Sequence, residues 1–96
     1  MGNAAHELPR LVFFYSGVSG RCRRVEGFLA QVLQRRHNHE TFRVHRVEKE
    51  SHPELFERFN VNEVPTLAVV EGKKFSRLVV PKSCREIERF LAPWLR

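Results

Sequence analysis

Cysteine is scarce: the 96 residues contain two, Cys22 and Cys84. Far apart and without a framework, they exclude a disulfide scaffold and suit a reducing cytosol. No apolar run approaches the roughly 20 residues that cross a bilayer, so no membrane role is expected. The first nine residues lack a positive cluster ahead of an apolar core, so no secretory signal is read and a cytoplasmic location is expected. Among five histidines the only local pair is His37-x-His39. Two loop histidines without a further ligand make a poor zinc site, and neither metal nor cofactor is expected. The basic residues are scattered, and no aromatic-plus-basic strand motif for single-stranded RNA is found, so nucleic acid is an unlikely partner. Repeats and linkers are also absent, which leaves one domain.

Hydrophobic content of 42% with eight phenylalanines argues for a globular chain. A chain of this size buries roughly two-thirds of its unfolded surface, enough for one core. The net charge is +6, thirteen of the seventeen basic residues are arginine, and all eleven acidic residues are glutamate. This balance fits either a solvated basic surface or an acidic partner.

Residues 1–10 read as a polar tail or short edge segment, and residues 11–96 as the domain. Leu11-Val12-Phe13-Phe14-Tyr15 is rich in β-formers and reads as a buried strand. A turn over 16–20 follows, with two glycines for unusual backbone angles. From Cys22 the apolar residues recur as Val25, Leu29, Val32 and Leu33, which predicts a helix from 19 or 20 to about 36. Gly27 lies inside it and costs roughly 1 kcal/mol against alanine. Residues 41–47 predict a second strand, with Phe42 and Val44 on one face and Arg43 and His45 on the other, at an edge or with one face partly exposed. Ser51 is the expected cap of a short helix with Pro53 and Glu54 in its first turn and Asn60 as a left-handed stop. Strands over 66–70 and 75–80 join at Glu71-Gly72-Lys73. Ser83-x-x-Glu86 is a capping box opening a last helix with Ile87, Phe90 and Leu91 inward. The first two strands should be parallel because a long helix crosses between them, and the last two antiparallel.

A strand that turns abruptly into a helix sets Ser19-Gly20-Arg21-Cys22 at the carboxyl edge of a sheet, where sites are usually built. Downstream stand Val64-Pro65-Thr66 and, before them, Val47-Glu48, His52-Pro53-Glu54-Leu55, Phe59 and Val61. On these residues the chain resembles the thioredoxin family over most of its length. The resemblance implies an α/β thioredoxin-like fold: a mixed sheet of four core strands flanked by helices, with the first strand and helix of full thioredoxins reduced or missing. It also implies a cis Val64–Pro65 bond facing the active-site turn.

In that family a first cysteine attacks a disulfide and a second, three residues on, resolves the mixed disulfide. Here Ser19 stands at the attacking position and cannot form a disulfide. Ser19 reads as an N-cap or, alternatively, as a participant in the site. Cys22 occupies the resolving position and reads either as a reactive monothiol or as a small buried core residue. Arg21, Arg23 and Arg24 crowd the helix start against the dipole, which suggests holding an anion or a thiolate, or simple solvation. Phe13 replaces a buried aspartate of many members and cannot move protons, and Val80 stands where a glycine is common. Two functions stay open. One is a monothiol redox protein, with Cys22 and Ser19 as catalytic residues, linked to protein disulfides or glutathione. The other is a non-catalytic module that binds a protein or peptide in the groove beside Pro65, lined by Gly20, Arg21, Val64, Pro65 and Thr66.

Overall fold

The computed structural model describes residues 8–35 and 40–95. Most of the 1–10 segment, and the pair His37 and His39, lie outside the described residues. The chain runs β1 (Arg10–Tyr15), α1 (Gly20–Gln34), β2 (Arg43–Glu48), α2 (Pro53–Arg58), β3 (Thr66–Glu71), β4 (Lys74–Val79) and α3 (Cys84–Leu91). The four strands form one sheet in the order β2-β1-β3-β4. β1 and β2 are parallel, and the β1–β3 and β3–β4 pairs are antiparallel. The result is a thioredoxin-like α/β fold with a mixed sheet.

Alternation along the strands separates two cores. Leu11 and Phe13 of β1 and Leu67 and Val69 of β3 face α1 and α3, where Val25, Leu29, Val32, Ile87 and Leu91 meet them. Phe14 of β1 and Ala68 of β3 face the other way, against Val47, Phe56 and Val61. Ile87 and Leu91 are fully buried, each contributing about 1.5–3 kcal/mol of burial energy.

β2 lies at the sheet edge, and its first four residues are exposed. The strand begins at Arg43, so Phe42 packs ahead of it while Val44 stays 42% exposed instead of sharing that burial. Exposed arginines on an edge hinder pairing with a second chain. The N-cap position of α2 falls on His52, whose side chain makes no cap hydrogen bond, and the Ser51 hydroxyl donates to Glu48 Oε1 at 2.8 Å. Asn60 takes φ 55° just past α2, and Gly72 takes φ 61° at the β3–β4 turn, both conformations these residues tolerate. Among the described residues no helix is long and apolar enough to cross a membrane.

Candidate functional site

β1 delivers the chain to a turn at residues 16–19 and α1 carries it away. Ser19 is the N-cap, in extended conformation, and its Oγ accepts the Cys22 backbone N–H at 3.3 Å. Ser19 N–H in turn donates to the Ser16 carbonyl. The hydroxyl thus satisfies a helix-end donor that would otherwise be orphaned, worth about 1 kcal/mol. Gly20 and Arg21 are exposed on the first turn, as are Arg23 and Arg24.

Cys22 points inward. It is 2% exposed, packed with Phe13 and Val25, and its sulfur accepts the Ser16 N–H at 3.4 Å. Phe13 stacks on Tyr15 at 5.3 Å between ring centres. Neither glycine of the turn takes the left-handed angle expected of it; only Gly72 does so among the described glycines. At Gly17 a Cβ would meet the carboxylate of Glu48, the far end of a flexible side chain that can move aside.

Glu50 holds the turn from outside. Its Oε2 accepts the Ser16 hydroxyl at 2.6 Å and its Oε1 accepts the Gly17 N–H at 3.1 Å. These two donors, the Ser16 hydroxyl first, hold the Glu50 carboxyl below its ordinary pKa of 4.5. Sequence reading passes over Glu50 because it lies 33 and 34 residues from its partners. The parallel register is the signal that finds it: Tyr15 pairs with Glu48, so the chain just beyond β2 must run beside the chain just beyond β1.

The second half of the site comes from β3. Phe14 pairs with Thr66, which sets Val64 and Pro65 beside the exit of β1. The Val64–Pro65 peptide is cis. Pro65 is buried and its carbonyl accepts the Val80 N–H at 2.8 Å. Thr66 is 1% exposed, its hydroxyl donating to the Glu63 carbonyl at 2.7 Å, so it supports the bend and offers nothing to solvent. Val64 is half-buried against the cores. Among the described residues, nothing pairs with its backbone N–H or C=O. Val18, at 85% exposure, projects from the turn. Val80 adopts φ 46°, a strained angle for a β-branched side chain and one that a glycine would take freely.

Cys84 opens α3 and looks elsewhere. Its thiol donates to Gln31 Oε1 at 3.1 Å, on α1. Both cysteines are free. Among the described residues no group of histidine, cysteine and glutamate could hold a metal ion. Among the described residues the arrangement therefore offers a bare backbone edge, an exposed valine and the arginines Arg21, Arg23 and Arg24 without an ion pair, with its one central sulfur covered.

The family model described as Thioredoxin matches residues 3–93. No curated protein matches. Among solved structures, a protein titled Trxlp from Edwardsiella tarda superposes with a TM-score of 0.79 at 21% identity, over 97% of this chain and 87% of its own. Mitochondrial thioredoxin 3 from Saccharomyces cerevisiae, in its oxidised form, gives 0.76 at 13% identity, over 94% and 82%. Thioredoxin O2 from Arabidopsis thaliana, also oxidised, gives 0.74 at 16%, over 96% and 79%. At these identities the structures speak for the fold.

Proposed function

The chain belongs to the thioredoxin family, and from that premise we propose that it works as a binding module whose groove beside Pro65 takes up an extended segment of a protein or peptide partner. The bare backbone N–H and C=O of Val64 carry this reading. An extended peptide can pair with them as an added strand, a mode that takes its affinity from main-chain hydrogen bonds and needs no cysteine. Gly20 and Arg21 border the same groove from the α1 side, while Thr66 acts beneath it. A reducing, cytoplasmic setting accords with two free cysteines.

One contact favours a second reading, a monothiol redox protein serving cell redox homeostasis. The Cys22 sulfur sits in the first turn of α1 with the Ser16 N–H directed at it. In that chemistry the Cys22 thiol first loses its proton to solvent, and the thiolate attacks one sulfur of a protein disulfide or of glutathione disulfide. A mixed disulfide forms and the other sulfur leaves as a thiolate. At 2% exposure the attack requires the 16–19 turn to lift first, which is why the binding reading is preferred. Ser19 lends the hydroxyl cap in either case.

The test compares wild type with Cys22→Ala for binding of peptides selected from a random library, with and without reductant. Equal affinity in all four conditions supports the binding module. Binding that vanishes with reductant or with Cys22→Ala assigns the function to the thiol.

A further inference from the structure

Between the start of α1 and the start of α3, the surface carries positive charge that forms no ion pair among the described residues. Arg21, Arg24 and Phe28 follow one another at three and four residues, so they share one side of α1. Phe28 shows which side: its carbonyl faces the thiol of Cys84, the first residue of α3. Arg21 and Arg24 therefore line the side of α1 turned toward α3. Pro65 and Val80, joined by their backbone hydrogen bond, lie at the same sheet edge. Lys82, two residues past Val80, is exposed on the far rim.

Among the described residues none of these three cations has an ion pair. The carboxylates of this edge are committed elsewhere. Glu50 is held by Ser16 and Gly17, Glu48 by Ser51, Glu26 by Arg46, and Glu86 by the Lys82 backbone. Exposed Glu63 sets one negative charge beside Val64, against three positive ones. The first turn of α1 contains no acidic residue. Arginine there works against the helix dipole, so its placement is not explained by helix stability.

We propose that the partner segment is acidic: an extended peptide that pairs its backbone with Val64 and directs Asp or Glu side chains to Arg21, Arg24 and Lys82. This rests on the peptide-binding reading and names the chemistry of its ligand. Guanidinium–carboxylate pairs are charge-assisted and geometrically specific, so they select as well as attract. Val18 supplies an apolar contact at the rim. A single-stranded nucleic acid would ask for stacking aromatics. The aromatic of this edge, Tyr15, is half-buried and already stacked on Phe13.

The experiment selects short random peptides on the reduced wild-type protein and on the double variant R21E/R24E. Both positions are exposed, and glutamate at a helix start agrees with the dipole, so the fold is retained. Peptides selected on wild type should be rich in Asp and Glu. They should bind about tenfold or more tightly than the same peptides with Asn and Gln in those places. The advantage should shrink as salt rises and disappear in R21E/R24E, while the Val64 and Val80 amide resonances shift on binding. Equal affinity for the acidic and amide peptides, with the same resonances shifting, overturns this inference and leaves peptide binding standing. A footprint on Arg43 and Arg46 of β2 also overturns it, as does tighter binding of oligothymidylate at the same amides. A library that yields no binder at all overturns the peptide-binding reading itself.

Discussion

The β1–α1 and β4–α3 turns solve one local problem in different ways. Both leave the same edge of the sheet, and each opens its helix with a serine whose hydroxyl accepts the N–H of the third helical residue. The distances are 3.3 Å at Ser19 and 3.2 Å at Ser83. At that third residue they part. In α3 it is Glu86, whose Oε1 reaches back to the Lys82 N–H at 3.0 Å. In α1 it is Cys22, turned into the core, where its sulfur takes the Ser16 N–H at 3.4 Å and no carboxylate reaches back. The α1 turn is held instead by Glu50, from a distant loop. A turn that only has to start a helix closes itself with its own carboxylate. The turn beside Val64 and Pro65 has no such carboxylate, exposes arginines, and takes its support from Glu50 elsewhere in the fold.

The largest expected effect tests whether that difference is chemical. Wild type should not turn over an insulin-type disulfide substrate, because attack and resolution need two thiols. Ser19→Cys should create measurable turnover, held below that of a full dithiol protein because Phe13 cannot accept the proton of Cys22. Ser83→Cys, which sets a thiol beside Cys84, should remain at the wild-type level. Equal turnover by the two variants would erase the distinction between the turns.

Next in size are the caps. Ser19→Ala and Ser83→Ala should each cost about 1 kcal/mol, with Ser83→Ala the larger because it also dismantles the reciprocal arrangement with Glu86. Urea unfolding at neutral pH measures both, and the reverse order would show that the Glu86 contact adds nothing.

Val80 sharpens the comparison from the α3 side. Its positive φ costs about 1 kcal/mol or more in a valine. Val80→Gly should therefore be neutral or raise stability despite the lost side chain, where Val79→Gly in β4 should lower it. Thermal unfolding of the two variants checks the sign.

The smallest effect concerns Glu50. Its folded pKa lies below 4.5, so its contribution is present above that value and fades as pH falls through the folded pKa. The difference in Tm between wild type and Glu50→Ala should be constant near neutrality and shrink in acid. A difference that grows on acidification would mean that the clamp does not work through the charged carboxylate.

Local signals were strong where one residue type answers one backbone need. Gly72, Asn60 and Ser83-x-x-Glu86 announce their turns and caps, and the stripe from Val25 to Leu33 announces α1. Ser51 misled because the helix starts one residue later than its cap would require, with His52 at the cap position, and the Ser51 hydroxyl donates to Glu48 at the end of β2. Gly17 and Gly20 misled because a glycine permits a left-handed angle without requiring one, and neither takes it.

The sequence by itself determined the α/β order and the parallel first pair, because periodicity and turn chemistry are local and additive, while the family and its four-stranded mixed sheet followed from the resemblance carried by Val64-Pro65-Thr66 and the residues that approach it. It also placed Ser19, Cys22 and Val64-Pro65-Thr66 in candidate roles. Only the tertiary structure decided which way Cys22 faces. A residue in the first turn of a helix can lie on either side of the sheet's rim, and its burial depends on how α1 settles on β1 and β3. The Glu50 clamp and the bare backbone of Val64 were likewise decided there. Both depend on strands brought together from distant parts of the chain, and no local preference carries that information.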